Sequence, residues 1–194
     1  MSDIINHWRT LSFYDPARVL IELRKLERTI PPRAANSKVV RLRTNQLKKI
    51  RESRDAALFS YGMGLAQGTD IAYAPEEAAD YDFVTTWFDG DFRHYCPVQL
   101  KELVPADLGS RASLRALLSD LAVHSLPTDT VLAIRLNRAG RFDPASVQLP
   151  PLGYRQVWYF GAITPRAERW VLFGDAKAQV RRLEFDYPEP GASA

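Results

Sequence analysis

Three side chains near the middle of the chain have the types that metal-assisted phosphodiester chemistry needs. They are Asp82, in Asp80-Tyr81-Asp82-Phe83-Val84, and Gln99 and Lys101, in Gln99-Leu100-Lys101. Mg²⁺ prefers oxygen ligands and keeps several of its waters. A carboxylate at Asp82, the amide oxygen of Gln99 and a nearby backbone carbonyl would hold such an ion, and a bound water would become the nucleophile. Lys101 would orient that water and offset charge on the attacked phosphate. The plainer alternative is an ordinary cross-strand ion pair between Asp82 and Lys101.

Whether these groups converge depends on the strands that carry them. The runs 81–88 and 92–104 are rich in β-branched and aromatic residues and flank Asp89-Gly90-Asp91, a hairpin turn signal. Residues two apart on a strand share a face, so Gln99 and Lys101 sit together. A two-residue loop of Asp89-Gly90 places Asp80 opposite Gln99 and Asp82 opposite Pro97, whereas a loop of Gly90-Asp91 places Asp82 directly opposite Gln99. Both registers put Asp82, Gln99 and Lys101 on one face, and an unbulged three-residue loop would separate them. The opposite face, with Phe83, Thr85, Trp87, Phe92, His94, Cys96, Val98 and Leu100, is apolar enough to pack on helices. His94 and Cys96 are therefore assigned to core packing rather than to a metal.

Around this hairpin the pattern is helical. Asp15-Pro16 opens a first helix with an apolar stripe at Val19, Leu23, Leu26 and Ile30, ended by Pro31-Pro32. A second helix is predicted over 44–65, with Leu47, Ile50, Ala57, Leu58, Tyr61 and Leu65 on one side. A short strand follows at 71–74. A third helix, capped by Ser110, carries Leu114, Leu117, Leu118 and Leu121 and ends before Pro127. Residues 131–136 read as a buried strand, 155–163 with 170–173 as a hairpin around Pro165, and 182–187 as an edge strand. The consecutive aromatics Trp158, Tyr159 and Phe160 are explained by alternating burial. Asp70, Glu76 and Glu77 read as solvated loop acids, while Asp80, two positions from Asp82, is an alternative to it.

Composition narrows the class. In 194 residues, 46% are hydrophobic and 25% charged, proportions that fit one folded domain with a modest extra segment and exclude wholesale disorder. No run of 18 apolar residues occurs and the N-terminus lacks an apolar leader, so the protein is expected to be cytoplasmic with no membrane partner. A single cysteine and three scattered histidines exclude a disulfide scaffold and a zinc ribbon. Charge is unevenly placed. Residues 1–58 hold 13 basic and 6 acidic side chains, residues 59–109 hold 2 and 9, and residues 110–194 hold 11 and 8. The steepest bias, over 33–54, sets eight basic residues against Glu52 alone. Arg33, Lys38, Arg41, Arg43, Lys48, Lys49 and Arg51 form a candidate contact to nucleic acid, with a solvated linker and helix face as the alternative.

At Asp82 and Gln99-x-Lys101 the chain resembles the PD-(D/E)xK nuclease superfamily, in which a helix precedes a strand hairpin bearing an aspartate and a (D/E)xK tripeptide, followed by another helix. The resemblance covers roughly residues 44–136. It implies an α/β fold with a central mixed sheet flanked by helices and a restriction-endonuclease-like core over 44–187. Residues 1–43 would be a helical basic N-terminal extension and residues 188–194 a flexible tail. It further implies an endonuclease dependent on Mg²⁺ or Mn²⁺ that acts on nucleic acid, DNA ahead of RNA. Asp82 and Gln99 would bind the metal and Lys101 would assist catalysis. A helix glutamate often completes such sites, and Glu52 is the residue in that place. Position 99 is neutral where the superfamily has Asp or Glu. Two rivals stand beside this expectation: a catalytically degenerate nucleic-acid binder of the same fold, and a protein-interaction module that docks through the helix over 16–30. A homodimer is a further expected assembly.

Overall fold

The computed structural model describes residues 2–29, 45–76, 78, 80–104, 113–124, 128–138 and 141–190, with only the backbone at 2, 45–49 and 124. The elements are α1 (Ser2–Arg9), α2 (Pro16–Thr29), α3 (Asn45–Gln67), β1 (Ala72–Pro75), β2 (Phe83–Asp89), β3 (Phe92–Leu103), α4 (Leu114–His124), β4 (Val131–Leu136), β5 (Gln156–Ala162), β6 (Arg169–Gly174) and β7 (Arg181–Asp186). The strands form one seven-stranded sheet in chain order.

Connection length explains the strand directions. A two-residue turn joins β2 to β3 as an antiparallel pair, and the antiparallel meanders β1–β2–β3 and β5–β6–β7 are both built on short links. Between β3 and β4 the chain has room for α4, which carries it back to start a parallel strand, and β4 and β5 are also parallel. The class is therefore α/β with a central mixed sheet, as expected. Among the described residues no helix is long and apolar enough to cross a membrane.

Each face of the sheet has its own cover. On one face the Phe59 ring of α3 packs between Phe83 (centroids 6.3 Å apart) and Phe160 (5.8 Å), in a core shared with Leu20 of α2 and Val98, Trp170 and Phe185. On the other, Leu118 of α4 packs with Leu132, Ile134 and Tyr159. Farther along that second face, Trp8 of α1 meets Tyr81 edge-on and packs with Val84. Close approach of α3 to β7 depends on Gly62, where a Cβ would lie 2.8 Å from the Phe185 ring.

The first predicted helix starts where expected: Asp15 Oδ1 accepts from the Ala17 N–H at 2.9 Å, with Pro16 as the first helical residue. Other expectations need correction. The α4 cap is Ser113, whose Oγ accepts from the Ala116 N–H at 3.1 Å, while Ser110 lies outside the described residues. Helix α3 does not bury one stripe. Ile50 and Leu65 are exposed, whereas residues 55–60 are all buried, because α3 is clamped between α2 and the sheet. His94 is exposed, not in the core, whereas Cys96 is half-buried and packs against the core cluster, because β4 begins opposite Val98 and, among the described residues, the first half of β3 has no strand neighbour on that side. Pro188, assigned to the tail, is buried, and Tyr187 Oη donates to the Leu20 carbonyl at 2.9 Å. Helix α1 was not anticipated; Trp8 is what anchors it.

Candidate functional site

The β2–β3 turn is Gly90-Asp91, with Asp89 paired to Phe92 and Phe83 to Val98. Gly90, at φ +58°, takes the conformation that a II′ hairpin turn asks of its first central residue. This is the register that sets Asp82 opposite Gln99.

At Asp82 the two strands part. The Asp82 N–H donates to the Val98 carbonyl at 2.9 Å. Asp82 Oδ2 then accepts from the Leu100 N–H at 2.6 Å and from Gln99 Nε2 at 2.5 Å. A carboxylate thus replaces the next strand carbonyl and satisfies a backbone donor that would otherwise lose its partner. Both bonds use Oδ2; Oδ1 makes none with the described residues. Gln99 is buried and Asp82 half-buried.

The parallel register pairs Gln99 with Leu132 and Lys101 with Ile134, both members of the cluster under α4. Asp82, Gln99 and Lys101 therefore share the α4 face, as predicted from strand alternation. Lys101 is half-buried and makes no side-chain hydrogen bond or ion pair with the described residues, so the Asp82–Lys101 ion pair of the plainer alternative is not formed.

Glu52 is not brought to this group. It is exposed on α3, and α3 docks through Phe59 on Phe83, whose side chain points away from that of its neighbour Asp82. Of the candidate nucleic-acid contacts, Arg51 is exposed on α3, while Lys48 and Lys49 lie in its backbone with side chains outside the described set. Arg33, Lys38, Arg41 and Arg43 fall outside the described residues. Arg54, at the end of the basic run, is held by Glu27 at 2.6 Å.

One neighbour escaped sequence reasoning. Tyr154, just before β5, has its hydroxyl pushed above the usual phenol range by burial first and then by the charges of Asp80 and Asp82. No spacing signal connects it with Asp82; the parallel β3–β4–β5 register brings the start of β5 to the same end of the sheet.

The face under α3 holds a second polar group. Arg135 of β4 donates to Asp55 Oδ2 of α3 at 2.7 Å, and both side chains are largely buried. Asp55 Oδ1 is buried without a partner. Burial raises the Asp55 pKa to about 6, outweighing the Arg135 charge, and nearby Glu102 adds to the rise. Glu102 accepts from Asn137 Nδ2 at 2.7 Å. Among the described residues, no three His, Cys, Asp or Glu side chains are grouped to hold a metal. No protein family, curated protein or solved structure matches this chain, so its site is read from its own geometry.

Proposed function

We propose that the protein is a metal-dependent phosphodiesterase that cleaves nucleic acid, DNA ahead of RNA. The observation that carries this reading is the contact of Asp82 with Gln99 where β2 leaves β3, with an unengaged Lys101 on the same face. The succession α3, β2–β3 hairpin, α4, β4 supports it through the PD-(D/E)xK resemblance. Asp82 Oδ1 and, after rotation of its amide, the Gln99 oxygen would hold Mg²⁺ or Mn²⁺, and the ion when bound would supply an activated water. Lys101 offers an ammonium group to a phosphate oxygen, and Asp82 bridges the ends of β2 and β3 through its bonds to Gln99 and Leu100. Glu52, on the other face, has no part in this reading.

One observation favours a second reading, a nucleic-acid binder of the same fold without cleavage. Gln99 presents its NH₂ group, not its oxygen, to Asp82. Nicking of supercoiled plasmid with Mg²⁺ or Mn²⁺, abolished by EDTA, separates the two; no nicking with either ion leaves the binder.

Gln99→Glu tests the metal pair directly. Without metal, the variant replaces a donor by a carboxylate in contact with Asp82, which should cost about 1–3 kcal/mol and raise one of the two pKa values. Added Mg²⁺ should reverse the loss and raise Tm more than in wild type, because a ligand of the folded state stabilises it by mass action. A Tm indifferent to divalent ions would remove the metal from this site.

Nucleic-acid binding itself should depend steeply on salt. Each phosphate neutralised on B-DNA adds about −0.9 to the log–log slope, so four to six contacts give roughly −4 to −5. Gln at positions 41, 43, 48 and 49 should flatten that slope in a fluorescence-anisotropy titration. An unchanged slope would place the contact elsewhere.

A further inference from the structure

The first half of β3 extends beyond the start of β4, since pairing begins only at Val98–Val131, and β5 starts level with Val131 at Gln156. The last turns of α3 close one side of this gap. They enclose a cavity of about 240 Å³ with an apolar floor that includes Phe59, Met63 and Val98. Its polar lining includes Gln67, His94 and Arg155, and no acidic side chain among the described residues lines it.

These polar groups are poised rather than used. The Arg155 backbone is fixed by its N–H bond to the Thr130 carbonyl at 2.9 Å, yet its guanidinium makes no hydrogen bond or ion pair with the described residues. The His94 ring stacks on Trp87, centroids 5.2 Å apart and planes 16° from parallel, which holds it at the rim. Cys96 contributes wall rather than reactivity: burial raises its thiol to about 11, against the smaller lowering by Arg155 and a rise from Asp129. An apolar pocket with a few fixed polar groups and one free cation is the usual form of a small-molecule site. An arginine fork suits a planar carboxylate in particular.

We propose that this cavity binds a small aromatic carboxylate, with the ring on the Phe59–Met63–Val98 floor and the carboxylate at Arg155. The volume corresponds to that of about eight waters, the size of a single ring bearing one carboxylate. The site lies on the α3 face and is independent of Asp82, Gln99 and Lys101.

The probe is 4-fluorobenzoate, followed by ¹⁹F NMR on the full chain, with 4-fluorobenzamide as the neutral comparator of the same shape. Saturable binding of the acid is expected with a dissociation constant on the order of 1 mM or tighter, and the amide should bind at least about tenfold more weakly. Arg155→Gln should weaken the acid by about tenfold and leave the amide unchanged. Arg155 is exposed, so this variant should melt as wild type does. Met63→Phe, which fills the floor, should displace both ligands. Equal binding of acid and amide, wild-type affinity in Arg155→Gln, or no saturable binding of the acid would each overturn the proposal.

Discussion

Lys101→Ala is expected to lower metal-dependent cleavage by about 10²- to 10³-fold, the loss typical when one charge-stabilising donor is removed. Its unfolding free energy should stay within about 0.5 kcal/mol of wild type, because the ammonium group holds no other described residue. Asp82 cannot be tested so simply. Asp82→Ala would leave the Leu100 N–H and the Gln99 amide without their acceptor, at a cost of about 2–4 kcal/mol, and a loss of activity would be confounded with a loosened hairpin. Asp82→Asn retains an oxygen that can accept both bonds while removing the charge a metal needs. Its melting should lie closer to wild type than that of Asp82→Ala, with cleavage as low. A plasmid-nicking assay beside urea unfolding reads both quantities. Wild-type cleavage in Lys101→Ala and Asp82→Asn together would end the phosphodiesterase reading, whatever nicking the preparation showed.

Arg135→Ala should be the most destabilising of the substitutions considered, by about 3–5 kcal/mol at pH 7, since it strands a buried carboxylate. The pH dependence identifies the cause. Asp55 titrates at about 6 in the folded chain against 3.8 ordinarily, so the folded state binds this proton more tightly than the unfolded state does. The group's contribution to stability is full below pH 3.8 and lost as pH rises through about 6, a change of about 3 kcal/mol in all. From this group alone, the wild type should be about 1 kcal/mol more stable at pH 5 than at pH 7. Asp55→Asn should remove that difference. In Arg135→Ala the carboxyl, deprived of its cation, should titrate higher still, and the variant should recover much of its loss at pH 5. An equal loss at both pH values would assign the effect to packing, including the contact of Arg135 with the Trp170 ring, 5.9 Å from its centroid.

What could be read from the sequence was local. Asp15-Pro16 starts α2 because an aspartate oxygen and a proline ring act within one turn. The Asp89-Gly90-Asp91 segment restricts the hairpin to a few registers, two of which align Asp82 with Gln99 and Lys101, since strand alternation follows from backbone geometry alone. Residues 131–136 form β4 as predicted, because a fully buried strand is a short unbroken apolar run.

Choosing among alternatives required the tertiary structure. Gly90-Asp91 rather than Asp89-Gly90 became the loop as β2 and β3 settled into one ladder. Packing of α3 between α2 and the sheet buried Asp55 beside the predicted Ala57 and Leu58, left Ile50 and Leu65 at the ends of the predicted stripe exposed, and carried Glu52 to the face away from Asp82. The Asp55–Arg135 pair joins residues 80 apart, and Tyr154 reaches the neighbourhood of Asp82 across two parallel strands. Strand offset left His94 exposed at the rim of a cavity, with Cys96 packed against the core in its wall. Each of these outcomes depends on which surfaces exclude water from one another, a property of assembled elements that no single segment of the chain carries.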